Sequence, residues 1–202
     1  MAPLRGRWGH HQVNVLNLVL TVLVMFLLCV GHDPVVEASE FKYDFGTTIF
    51  SPQGRLYQVE YASEAVNRAK PALGICTDEG VVLCALKKIY SRHLQEGNFR
   101  EKTRRIDSHV ICTSAGVTAD ALVLVKDCQA TAQDHFLAFQ EPIPLQKLAT
   151  HLSDLKQAYT QYGGLRPWGV SMLLAGWDSS RGLQLYKTEP SGVFSSGSGQ
   201  GG

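Results

Sequence analysis

Gly46-Thr47-Thr48 is the first place in this chain where residue types suggest chemistry. Cleavage after a glycine frees a threonine amine to act as base for its own hydroxyl, the arrangement of an N-terminal threonine nucleophile. Threonine proteases built this way use an aspartate and a lysine about 16 and 32 residues past the nucleophile to hold and activate it. Ser63 and Glu79 stand there instead, so the triplet lacks its partners. No Gly-x-Ser-x-Gly elbow, His-Glu-x-x-His pair or phosphate-binding glycine loop occurs. The 7 His are scattered, apart from His10-His11. The 5 Cys lack the spacing of a disulfide framework or a zinc site, which points to buried free thiols. No cofactor and no metal is implied.

The elements that must position any site are those of an ordinary globular domain. The 202 residues carry 19 Lys+Arg against 18 Asp+Glu, a net charge of +1, and are 45% hydrophobic. That composition excludes a disordered or collagen-like chain and gives no field to gather phosphate backbones, which argues against nucleic-acid binding. Residues 1–40 read as an extension. Val13 to Val30 is an uncharged run behind Arg5 and Arg7, either a signal segment or translated sequence upstream of the true start. As a helix it covers roughly 27 Å, a marginal span. His32 to Glu40 is a linker, and the folded domain is expected over 41–194.

Within that domain, Ser51-Pro52-Gln53-Gly54 is a turn. Leu56, Val59, Ala62 and Val66 recur at helical spacing. Ala72 to Thr77 and Gly80 to Leu86 form a hairpin around Asp78-Glu79-Gly80. Tyr90 to Arg105 is polar and basic and reads as an exposed loop. Val110 to Ser114 is a strand broken by Ala115-Gly116. Two long helices follow, the first from Val117 past Phe136, the second from Leu145 to Tyr162 with Pro144 at its start and Gly163-Gly164 as its stop. Gly169 to Trp177 and Leu183 to Thr188 make another hairpin. The order suits a mixed sandwich covered by helices rather than an alternating βαβ unit. Ser195 to Gly202 is Gly, Ser and Gln alone and is expected to be a disordered tail.

The stretch Tyr43-Asp44-Phe45-Gly46-Thr47-Thr48-Ile49-Phe50-Ser51-Pro52-Gln53-Gly54-Arg55-Leu56-Tyr57-Gln58-Val59-Glu60-Tyr61-Ala62 closely resembles the N-terminal signature of proteasome alpha subunits. Ser114-Ala115-Gly116 with Asp120, Tyr159-Thr160-Gln161-Tyr162-Gly163-Gly164, Arg166-Pro167-Trp168-Gly169-Val170-Ser171 and Glu189-Pro190-Ser191-Gly192 follow in family order. The likeness covers about Phe41 to Phe194. Glu141-Pro142-Ile143-Pro144, Lys156-Gln157-Ala158-Tyr159 and Gly176-Trp177-Asp178 look most like the branch at the third position of the seven-membered ring.

The resemblance implies an α+β fold, the four-layer αββα sandwich shared with N-terminal nucleophile hydrolases, here C-terminally truncated because the family pattern stops after Val193. It implies a non-catalytic ring subunit with Thr47 internal. Its partners are neighbouring alpha subunits, the beta ring and regulatory or activator particles, in cytoplasm and nucleus. Tyr43, Asp44, Pro52 and Tyr61 match the cluster that holds gating tails open. Lys102 matches the lysine that receives an activator's C-terminal carboxylate, with Gly116 at a close-approach turn of the same pocket. Phe45 departs from the polar or basic residue usual in the family. The rival reading is a membrane-anchored or secreted protein with the same sandwich, including a threonine-type hydrolase, with membrane contact through residues 13–30.

Overall fold

The computed structural model describes residues 44–87 and 101–197. The chain divides into two units, Met1–Glu40 and Phe41–Gly202, and all described residues belong to the second. Residues 13–30, Cys29, Tyr43 and most of the basic loop before Glu101 lie outside them. Among the described residues no helix is long and apolar enough to cross a membrane.

The element order is α1 (Tyr57–Asn67), β1 (Ala72–Cys76), β2 (Val81–Ala85), β3 (Thr103–Asp107), β4 (Val110–Gly116), α2 (Thr118–Phe139), α3 (Leu145–Gln161), β5 (Val170–Asp178), β6 (Gly182–Thr188) and β7 (Phe194–Ser196). The strands form two antiparallel sheets, β1-β2 and β3-β4-β5-β6-β7.

The apolar stripes of α2 and α3 determine the packing. Leu124, Cys128 and Ala132 of α2 and Leu145, Leu148 and Leu152 of α3 are buried against Val110, Cys112, Val170, Met172 and Leu174 of the large sheet. Residues three and four apart share one helix face, so each stripe meets the sheet as a continuous surface. The small sheet packs on the other side of the large one. There Gly74 of β1 leaves little room for a side chain: a Cβ would stand 3.2 Å from both Leu173 and Leu185 of the large sheet. Leu73, Ile75 and Val82 point outward from the small sheet and are exposed. Three layers are thus present among the described residues: a helical pair, the five-stranded sheet and the two-stranded sheet, with α1 against β4 and β5.

Four sequence expectations need correction. The end of the expected basic loop is strand β3, Thr103-Arg104-Arg105-Ile106-Asp107, an edge strand that buries only Ile106 fully. Charged side chains on an edge discourage pairing with other chains, and they disguise the strand as loop. Strand β4 runs through Ala115 to Gly116 instead of breaking before them. Ser195 and Ser196, assigned to a disordered tail, pair with Lys187 and Tyr186 as part of β7. The thiols are not uniformly buried: Cys112 and Cys128 are, Cys76 is half-buried, and Cys84 is exposed.

Candidate functional site

Two turns of chain bring the first group of candidates together. Ser51 closes its own loop: its N–H donates to the Arg55 carbonyl at 2.9 Å, and its Oγ accepts the Arg55 N–H at 3.1 Å. Gly54 completes the reversal at φ +78°, a conformation costly to any residue with a Cβ. Pro52 sits at the exposed tip with φ fixed by its ring. The chain then enters α1, where Tyr57, Gln58 and Tyr61 lie three and four residues apart and share one face. That face holds Asp44. The Tyr61 hydroxyl donates to Asp44 Oδ1, and Gln58 Nε2 donates to the Asp44 carbonyl. The Tyr57 and Tyr61 rings stack with centroids 6.3 Å apart.

Asp44 and Tyr61 are therefore in contact, while Pro52 stands on the adjoining loop. Tyr43 lies outside the described residues. Sequence reasoning missed Gln58, whose place one turn before Tyr61 on the same helical face was the available signal.

Lys102 stands just before β3, and its Nζ donates to the Lys70 carbonyl at 2.7 Å. Burial, and then the nearby Lys70 charge, push its amine below the ordinary lysine range. An ammonium carries three donors, so two remain for a ligand among the described residues. Thr103 pairs with Thr113, which puts Lys102 and Gly116 at the same end of the β3–β4 hairpin. They make no direct bond. Gly116 has φ +126°, and a Cβ there would stand 2.2 Å from the Gly169 carbonyl oxygen. Its role in the structure is a backbone-to-backbone approach: the next residue, Val117, donates its N–H to that same oxygen at 2.8 Å.

A clasp fixes this end of the sheet. Asp120, in the first turn of α2, receives Arg166 Nη1 and Nη2 at 2.7 Å each, and Oδ2 also accepts the Gly169 N–H at 3.0 Å. The Arg166 guanidinium holds the Asp120 carboxyl below the usual carboxylate range, with the Gly169 N–H adding to it. The helix N-terminus favours the same charge. Both residues lie in motifs visible in the sequence, but their pairing does not.

Among the described residues, the positions where partners of a threonine nucleophile are expected do not come together. The Ser63 hydroxyl donates to the Val59 carbonyl of its own helix, and Glu79 is exposed on the β1–β2 turn. A cleft of about 490 Å³ between α1 and the large sheet is lined by Ser63, Thr113 and Ser171. The charged pair on its wall, Lys187 and Glu189, is self-paired at 2.7 Å. No group of His, Cys, Asp and Glu among the described residues could hold a metal ion.

These contacts fall where sequence comparison is most informative. The N-terminal signature of A-type proteasome subunits matches residues 43–65, the segment containing Asp44, Pro52, Gln58 and Tyr61. The proteasome subunit family model matches residues 66–200, nearly all of the chain that follows. The chain belongs to the proteasome subunit family. Relatives include the alpha type-4-1 proteasome subunit of rice, Oryza sativa, 53% identical over 154 residues covering 76% of this chain and 62% of that protein. The alpha type-4 proteasome subunit of spinach and the alpha type-4-A proteasome subunit of Arabidopsis thaliana are each 52% identical over 153 residues, covering 76% of this chain and 61% of theirs. The chain thus spans a little over three fifths of the curated relatives it matches. The helices and antiparallel sheets described above are those of an α+β proteasome-family domain.

Proposed function

We propose that this chain is a non-catalytic alpha-ring subunit of the proteasome core particle, of the alpha type-4 kind. In this reading it contributes to ring assembly, controls the substrate gate and docks activators. Neighbouring alpha subunits, the beta ring and regulatory particles are its partners, in cytoplasm and nucleus, with peptide cleavage left to beta subunits in ubiquitin-dependent degradation. The observation that carries the reading is the bond between Asp44 and Tyr61 inside the A-type signature. A carboxylate held by a directed phenol is a two-position device: made, it fixes the chain before Gly46 against α1, and broken, it releases that chain. Tyr43 and Pro52 complete the proposed gate cluster. Lys102 supplies the ammonium for an activator's terminal carboxylate, and Gly116 supplies the close backbone turn beside it.

The test is made in assembled particles that carry this chain, with short-peptide hydrolysis by the particle as readout. Tyr61→Phe keeps the ring and removes the donor. Hydrolysis stimulated by the regulatory particle is expected to fall about three- to tenfold, the scale of one ordinary intramolecular hydrogen bond, since Tyr61 is half exposed. Stimulation equal to that of the wild-type particle rejects the gate role.

A further inference from the structure

One side chain joins the Pro52 loop to the helix that holds Asp44. Arg55 is the last residue of that loop, and its backbone is tied to Ser51 through both its N–H and its carbonyl. The backbone of Arg55 cannot shift independently of the loop. Its side chain leaves the loop and grips α1, with Nε donating to Glu60 Oε1 at 3.0 Å and Nη2 to Oε2 at 2.5 Å. The guanidinium also lies over the Tyr57 ring, 5.1 Å from its centroid. Tyr57 stacks on Tyr61, and Tyr61 binds Asp44. Contacts therefore run from the Ser51–Arg55 loop through the Arg55 guanidinium, which holds both Glu60 and the Tyr57 ring, to Tyr61 and Asp44.

The chemistry of this link suits transmission better than stabilisation. The Arg55 and Glu60 side chains are 54% and 40% exposed, so the pair adds little to folding. A two-pronged guanidinium–carboxylate contact fixes orientation as well as distance, which an ammonium does not. The Arg55 guanidinium holds the Glu60 carboxyl below the usual carboxylate range, so the pair stays charged near neutral pH.

We propose that Arg55 is a positioning residue: by gripping Glu60 and the Tyr57 ring from the Pro52 loop, it orients the face of α1 on which the Asp44–Tyr61 bond is made. This rests on the gate reading above. Adjacency alone does not establish coupling; a charge-swap cycle measures it.

The experiment compares regulatory-particle-stimulated with basal short-peptide hydrolysis in assembled particles at low salt. Arg55→Glu and Glu60→Arg are each expected to lower that ratio about two- to fivefold, the scale of a single ion pair. The double variant Arg55→Glu with Glu60→Arg remakes the loop–helix ion pair and raises the ratio above that of either single variant, which a disturbance confined to either position does not do. Arg55→Lys, which keeps the charge and the fold but loses the fork, recovers only part. Single variants at the wild-type ratio, or a swap that fails to raise it above either single variant, overturn the coupling. Tyr61→Phe in the same assay separates the two ideas: if it lowers the ratio while the Arg55 variants do not, the gate reading stands and only the coupling falls. If Tyr61→Phe and the Arg55 variants are all unchanged, both fall.

Discussion

Replacing Lys156 by Met should remove a pH dependence of stability that the fold builds into one side chain. Lys156 is fully buried, and its Nζ donates to Thr188 Oγ1 at 2.9 Å, to the Val170 carbonyl at 3.0 Å and to the Thr188 carbonyl at 3.4 Å. All three acceptors are neutral. Burial pushes the amine down to about 7, against weaker opposing effects of Cys128 and Glu189. The unfolded chain holds its proton to about pH 10.4. Below pH 7 both states are protonated, and the folded state bears the full cost of a dehydrated ammonium. Between about 7 and 10.4 the unfolded state binds the extra proton, so this group makes stability rise with pH. The slope is about 1.4 kcal/mol per pH unit, or about 4 kcal/mol between pH 7 and 10. Cys112 and Cys128, both pushed up to about 12 chiefly by burial, act in the opposite sense above pH 9. Cys112 cancels on subtraction, and the comparison is decided below pH 9, because the Lys156 charge also acts on the Cys128 thiol. Urea melts of wild type and Lys156→Met at pH 6 to 10 give the difference directly. At pH 6 the exchange of three hydrogen bonds for a relieved charge is expected to come out within about 2 kcal/mol of neutral. Wild type then gains on the variant steadily as pH rises. Parallel curves across that range refute the reasoning.

Three further outcomes follow from particular contacts. Asp120→Asn frees Arg166 and is expected to cost about 1–2 kcal/mol, discounted because Arg166 is largely exposed; since the folded carboxyl titrates low, the wild-type advantage is present above about pH 4 and fades as acid protonates Asp120, which acid titration of both proteins by circular dichroism checks. Gly116→Ala sets a methyl group against the Gly169 carbonyl at a positive φ and is expected to cost more than about 3 kcal/mol, read as loss of soluble folded chain or a large fall in melting temperature. Thiol labelling followed by peptide mapping is expected to modify Cys84 at once, and Cys112 and Cys128 only on unfolding.

Helical periodicity made α1, α2 and α3 legible, because each buries one stripe and exposes the rest. Turn residues marked both hairpins for the same local reason. Strand β3 was hidden because an edge strand needs only one inward apolar residue, Ile106, and spends three of its other positions on charge. Strand β7 was hidden because Ser195 and Ser196 bring only backbone to the ladder, and backbone pairing has no sequence signature. Lys156 carried a signal that went unread: it falls four residues after Leu152, inside the buried stripe of α3, where a solvated lysine does not belong. For the candidate site, the motif identified Asp44, Pro52 and Tyr61 together, while the attachment of Lys102 to the Lys70 carbonyl came only from tertiary structure. Spacing along a chain reports local geometry, and contacts across 32 residues leave no trace in it.

The clasp between Asp120 and Arg166 also has a place in time. It joins residues 46 apart, and the segment between them is the whole α2–α3 hairpin. Closing a flexible loop of that length costs about 3 kcal/mol in chain entropy before any constant is added. A two-pronged ion pair with one end in solvent returns less than that. The clasp therefore cannot gather the helices; they must first collapse on the sheet through their apolar stripes, after which its ends already lie side by side. In refolding it is expected to form late and in unfolding to break early, so that its loss would mark the opening of the helical layer and not the melting of the sheet.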